Sequence, residues 1–142
     1  MSPRWEPNPD TRRGRTVVYN LHAHLVFATK YRRGVMNDEM LTRCEEVMRK
    51  VCEDFGAKLK EFNGETDHVH LLVHYPPKVA PAGLVSSLKG VSSRRLHAEF
   101  TGRVNRAIMY GRFWSPSYFA GSCGGPPLQV VKDYIAQQKR PD

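Results

Sequence analysis

Cysteine, acidic residues and long apolar runs are all scarce in this sequence, and each shortage closes off a class of protein. Cys44, Cys52 and Cys123 are the only cysteines; they form no Cys-x-x-Cys pair, and their odd number leaves at least one unpaired, so they read as reduced thiols. Cys44 and Cys52 fall on the apolar stripe of a predicted helix, where free cysteine behaves as a small hydrophobe. No stretch approaches the roughly 20 apolar residues needed to span a bilayer, and Pro, Arg and Trp stand where a secretory segment would be apolar. Acidic residues number 14 against 22 lysines and arginines, a formal charge of +8. A surface of that sign concentrates polyanions, nucleic acid first and acidic membrane second. Without a spanning segment the membrane reading falls away, and the expected location is the cytoplasm. At 142 residues the chain can bury one real core and is too short for two ordinary domains. It has no internal repeat and no low-complexity segment beyond its N-terminal arm.

What is present divides readily. Met1 to Arg15 holds three prolines and four arginines without hydrophobic periodicity, which predicts a mobile basic arm over 1–15 and a folded domain over 16–142. Thr16 to Ala28 predicts a strand, followed by a basic turn of Lys30, Tyr31, Arg32 and Arg33. From Asn37, a suitable N-cap, apolar residues recur at three-to-four spacing through Phe55, and Gly56 ends that helix. Lys58 to Asn63 and His68 to Tyr75 predict two strands joined around Gly64. Pro81 opens a second helix to about Phe100. The segment with Gly102, Gly111 and Pro116 predicts at most a loop or hairpin, before a last strand near Ser117 to Ser122. Gly124 to Pro127 forms a hinge into a final helix, Leu128 to about Lys139. The order β-α-β-β-α-β plus a terminal helix predicts an α+β, ferredoxin-like (split βαβ) fold: one antiparallel sheet with two helices on one face.

The strongest chemical signal is HVHLLVHY. Side chains alternate along a strand, so His68 and His70 project the same way at roughly 6 to 7 Å, close enough to share one metal ion. His74 shares their face but lies roughly 13 Å beyond His70, which predicts a solvent or DNA contact. His22 and His24 have the same spacing in the first strand, and spacing alone does not choose between the pairs. A lone His-x-His is an ordinary half-buried pattern. In the last helix Tyr134 and Gln138 are four residues apart and share a face bordering the apolar stripe of Leu128, Val131 and Ile135. A tyrosine at such a border is, by itself, a packing residue.

Taken in order, AHLVFATKYRR, DHVHLLV, LVSSLKGVSSRRL, FWSPSYF and VVKDYIAQQ resemble the HUH transposases, the single-tyrosine insertion-sequence enzymes often called TnpA. The resemblance runs from about Val17 to Gln138. It puts the His-hydrophobic-His motif on His68, Val69 and His70, the catalytic tyrosine on Tyr134, and a third metal-binding side chain on Gln138. His22 and His24 gain no ligand role from it. GSCGGPP departs from the polar, often Thr-containing segment expected before the last helix, which implies a stiffer or differently angled hinge. The implied function is a transposase that cleaves and rejoins single-stranded DNA at hairpin-bearing element ends through a 5′-phosphotyrosine intermediate. The implied assembly is a homodimer with the tyrosine helix of one subunit against the histidine pair of the other. Domesticated relatives that process repeated palindromic DNA share the pattern.

Two imidazoles and an amide oxygen form a nitrogen and oxygen set that suits Mg²⁺ in the cell, with Mn²⁺ as a substitute. Lys30, Arg32, Arg33, Lys89, Arg94 and Arg95 are candidate phosphate contacts, and Tyr31, Trp114 and Tyr118 could stack on unpaired bases. A non-catalytic nucleic-acid-binding module would also be basic and aromatic, but has no use for Tyr134 and Gln138 beside a histidine pair. A purely structural dimerisation domain leaves both the charge and the motifs unexplained.

Overall fold

Of the 142 residues, the computed structural model describes 12–13, 18–108, 111–123 and 126–141. Two short strands, β1 (Arg12–Arg13) and β2 (Val18–Tyr19), pair ahead of β3 (His22–Thr29). There follow α1 (Asp38–Asp54), β4 (Lys58–Gly64), β5 (His68–His74), α2 (Pro81–Glu99), α3 (Thr101–Ala107), β6 (Trp114–Cys123) and α4 (Pro126–Ala136). The main sheet is antiparallel in the order β4-β5-β3-β6, the split βαβ arrangement that the element order predicts. Most of the expected arm, and Gly124 and Gly125 of the expected hinge, lie outside the described residues.

The core lies between one face of the sheet and the helices α1 and α2. Asn37 caps α1 by accepting from the Met40 N–H at 2.8 Å, and the stripe Met40, Leu41, Cys44, Met48, Val51 and Cys52 is buried. Gly56, at φ 72°, turns the chain out of the helix in a conformation that disfavours any side chain. β3 contributes Ala23, Leu25 and Phe27 to this core, and β5 contributes Val69, Leu71 and Val73. Burial pushes the Cys52 thiol up to about 12 and the Cys44 thiol higher, so both act as apolar filler.

Four boundaries differ from the sequence-based expectation, each for a tertiary reason. The single strand expected over Thr16 to Ala28 is broken after Tyr19, because β3 begins only where β5 can pair with it, at His22 opposite His74. The segment around Gly102 is not a loop but α3: Val104 and Ile108 are buried in the core, which outweighs the helix cost of a glycine in the first turn. β6 starts at Trp114 and carries Pro116 inside it, tolerated because β6 is an edge strand and its register with β3 shifts between Phe27 and Thr29. α4 stops at Ala136, so Gln138 follows the helix in a tightened turn, its N–H donating to the Ile135 carbonyl at 3.1 Å.

Candidate active site

Because Ala23, Leu25, Phe27, Val69, Leu71 and Val73 point under the helices, strand alternation sends His22, His24, His68, His70, Leu72 and His74 to the opposite face. Five of the six histidines therefore share that face. α4 crosses it on a small apolar cluster of Leu72, Leu128 and Ile135, with Val131 and Cys123 at the margin. Asn63 of β4 fixes the far end of α4: its amide nitrogen donates to the carbonyls of Ile135 at 3.2 Å and Gln138 at 2.9 Å. Both carbonyls lie at the C-terminal end of α4, where backbone acceptors outnumber the internal donors. Sequence reading missed Asn63, since nothing in a β-strand pattern marks a residue as a cap for a helix more than 70 positions away.

The histidines separate into two groups. His22 and His74 are fully buried and stacked, with ring centroids 4.1 Å apart, and Tyr19 meets His74 edge-on. The expectation that His74 faces solvent or DNA is thereby corrected: the β3–β5 register seals it against His22. His68 and His70 have ring centroids 5.1 Å apart, and the Tyr134 ring stands 5.3 Å from His70, nearly perpendicular to it. Tyr134 remains 51% exposed. His24 joins this group, its Nε2 lying 3.0 Å from His70 Nδ1 and its ring 6.3 Å from Tyr134. The Asp67 carboxylate lies 2.7 Å from His68 Nδ1, and Glu65 approaches His68 Nε2 at 3.9 Å. Ligand atoms of Glu65, Asp67 and His68 all fall within 4.8 Å of one another, an oxygen-rich margin to the histidine pair. The Gln138 side chain turns back along α4, its amide nitrogen donating to the Tyr134 carbonyl at 3.4 Å.

Burial, reinforced by the charges of His68 and His24, pushes the His70 imidazole down to about 4, and burial also lowers His24. A neutral imidazole is the form that binds metal. The same shift makes stability depend on pH. The unfolded chain takes up a proton near 6.5 and folded His70 only near 4, so the contribution is complete above 6.5 and lost as pH falls towards 4. It amounts to no more than about 3 kcal/mol. Denaturant unfolding at neutral pH and near pH 4 should therefore show a smaller acid loss in His70→Gln than in wild type. Equal losses would locate the acid lability elsewhere.

Five of the six candidate basic residues fall in two places. Lys30, Arg32 and Arg33 belong to the turn that leaves β3 at the His68 end of the sheet, where Arg32 pairs with Asp67 at 3.4 Å. Tyr31 and Arg32 adopt left-handed conformations, at φ 56° and 52°. Side chains resist that region by roughly 1–2 kcal/mol each, and such strain concentrates at functional sites. Lys89 and Arg94 instead line a groove of about 520 Å³ between α2 and β6, with Arg112, Trp114 and Tyr118. The Lys89 ammonium is engaged there, donating to the Ser115 carbonyl at 2.7 Å and lying over the Tyr118 ring. Arg95 is exposed on α2 outside the residues that line this groove. Arg112 was not singled out from the sequence because it lies in a segment without periodicity.

Residues 17–138 match the family described as Transposase IS200 like. The chain is 29% identical over 129 residues to the ISDra2 transposase TnpA of Deinococcus radiodurans, covering 91% of both chains. It is 32% identical over 124 residues to the transposase for insertion sequence element IS200 of Salmonella typhimurium, covering 87% of this chain and 80% of that one. A solved candidate transposase from Deinococcus radiodurans superposes with a TM-score of 0.73 at 31% identity, over 91% of this chain and 98% of that one. A REP-associated tyrosine transposase bound to a REP hairpin shares the fold, with a TM-score of 0.61 at 13% identity, over 87% of this chain and 69% of that one. Among the described residues no helix is long and apolar enough to cross a membrane. With the family match spanning residues 17–138 and the solved relative sharing its fold, this chain belongs to the IS200-like transposases, the single-tyrosine HUH family of DNA strand-transfer enzymes.

Proposed function

We propose that the chain cuts and rejoins single-stranded DNA at hairpin-bearing element ends, with Tyr134 as nucleophile. The observation that carries this reading is the half-exposed Tyr134 ring standing 5.3 Å from His70, with His68 beside it, on a sheet face that opens beside the basic turn. In the forward step the Tyr134 hydroxyl oxygen bonds to the scissile phosphorus and the bond from phosphorus to the 3′ oxygen breaks. The phenolic proton is given up and the departing 3′ oxygen takes one, leaving a 5′-phosphotyrosine and a free 3′-hydroxyl. The phosphodiester energy is retained in the tyrosyl linkage, so joining to another end is the reverse reaction and needs no nucleotide cofactor. His68, His70 and Gln138 would hold a divalent cation, Mg²⁺ in the cell with Mn²⁺ as substitute; when bound, it would polarise the phosphate and offset its charge. The fit rests on two neutral-capable imidazoles and an amide oxygen, a nitrogen and oxygen donor set. Lys30, Arg32 and Arg33 would hold the strand near the tyrosine, and Lys89, Arg94 and Arg95 would hold DNA along α2. The linkage chemistry gives a direct test. With a hairpin oligonucleotide, a 3′-terminal label should become attached to the protein in Mg²⁺ or Mn²⁺, and a 5′-terminal label should be released on a shorter strand. The opposite labelling would reverse the polarity assigned to the step.

The working unit we propose is a homodimer that shares its sites by exchanging α4. Within one chain, α4 is held by the small Leu72, Leu128 and Ile135 cluster and by Asn63, apart from the main core, so exchanging the helix between subunits sacrifices little packing. Mixing a Tyr134→Phe subunit with a His68→Ala subunit should then restore adduct formation at one of the two sites of each mixed dimer. Absence of recovery would assign each site to a single chain, as in the arrangement with Tyr134 against its own His70.

A further inference from the structure

The contacts behind the two site histidines have the same form. Asp67 Oδ1 lies 2.7 Å from His68 Nδ1, and His24 Nε2 lies 3.0 Å from His70 Nδ1. Both partners are themselves held. Arg32 grips the Asp67 carboxylate at 3.4 Å, while the Asp67 carbonyl accepts from the Thr29 N–H at 2.9 Å and from the Thr29 hydroxyl at 3.2 Å. His24 sits in β3 with its ring beside that of His70, centroids 5.3 Å apart and planes within 22°, and is met edge-on by Phe119. A neutral imidazole carries one N–H, and the partner on one nitrogen decides which of the two keeps a lone pair. An ionised carboxylate can only accept, so a neutral His68 bonded to Asp67 through Nδ1 must carry its proton there.

We propose that Asp67 and His24 are positioning residues that hold His68 and His70 as Nδ1–H tautomers, so that both rings present an Nε2 lone pair to the same divalent cation. For His70 this requires His24 to accept at Nε2 and to carry its own proton on Nδ1. The role explains why a second His-x-His pair lies alongside the first. His22 and His24 alternate to the same face, but only His24 is in register to reach a site imidazole, whereas His22 stacks on His74. Arg32, through Asp67, ties the strand-holding turn to the orientation of His68. The inference rests on the metal-site reading above, and partners of this kind typically alter metal affinity by roughly 10- to 100-fold.

Long-range ¹H–¹⁵N correlation spectra of the metal-free full chain read each tautomer directly, and loss of the free Mn²⁺ EPR signal reads affinity, neither needing DNA cleavage. Wild type should show Nδ1–H at both His68 and His70. His24→Ala should return His70 to the Nε2–H form that free imidazole favours, and weaken Mn²⁺ binding roughly ten-fold or more. His24→Gln, whose amide oxygen replaces the Nε2 acceptor, should restore the tautomer and most of the affinity, which a general packing defect would not do. Asp67→Ala and Asp67→Asn should behave in the same two ways at His68. Nδ1–H rings with unchanged Mn²⁺ affinity in both alanine variants would overturn the positioning role and leave the metal site standing. Wild type binding Mn²⁺ no better than a His68→Ala, His70→Ala double variant would overturn the metal site and the positioning role together.

Discussion

Tyr134→Phe should form no protein–DNA adduct that survives denaturing electrophoresis, with strand transfer reduced by more than about 10³-fold, the scale on which removing a reacting group costs an enzyme. The change deletes one oxygen from a side chain that is half exposed and whose ring contacts, to His70 and His24, are made by the carbons that phenylalanine keeps. Folding stability should therefore move by no more than about 0.5 kcal/mol, as for other exposed substitutions. Mn²⁺ binding and hairpin affinity should persist, which separates loss of the nucleophile from loss of the site. Wild type should form the adduct on single-stranded hairpin DNA and not on a full duplex, the substrate class that the single-tyrosine family implies. An undiminished adduct in the variant would move the nucleophile to Tyr118, or to Tyr110, which lies outside the described residues. Nicking without any adduct would instead indicate a nuclease that uses water.

Removing the metal should be nearly as damaging to cleavage and nearly harmless to binding. EDTA, or His70→Ala, should abolish cutting while hairpin affinity survives, since on the proposed reading the cation would act on the scissile phosphate and the lysines and arginines would carry most of the binding. That affinity should fall with ionic strength, with a log–log slope of about −0.7 for each phosphate neutralised on a single strand. His74→Ala and His22→Ala supply the contrast. Both residues are buried in a stacked pair away from Tyr134, so each variant should lose roughly 2 kcal/mol or more of stability through the cavity it leaves, yet retain metal-dependent cutting when folded. Loss of cutting in folded His22→Ala with cutting retained in His70→Ala would move the metal site to β3.

Local chemistry, read along the chain, was enough to determine the fold class, the capped first helix, the alternation that brings His68 and His70 to one face, and the four-residue spacing of Tyr134 and Gln138. These depend on periods of two and 3.6 and on caps, all of which act over a few residues. Tertiary structure decided the rest, because each remaining question turned on a contact between distant segments. Val104 and Ile108 make a helix of a glycine-containing stretch only because a core waits beneath them. The two His-x-His pairs are indistinguishable by spacing; the β3–β5 register buries His22 and His74 together and turns His24 towards His70. Asn63 became a cap for α4, and Tyr134 a neighbour of His70, only once the last helix had crossed the open face of the sheet. Sequence patterns carry the direction of a side chain from its own strand or helix, whereas what that side chain meets is set by register and by which face an incoming element covers.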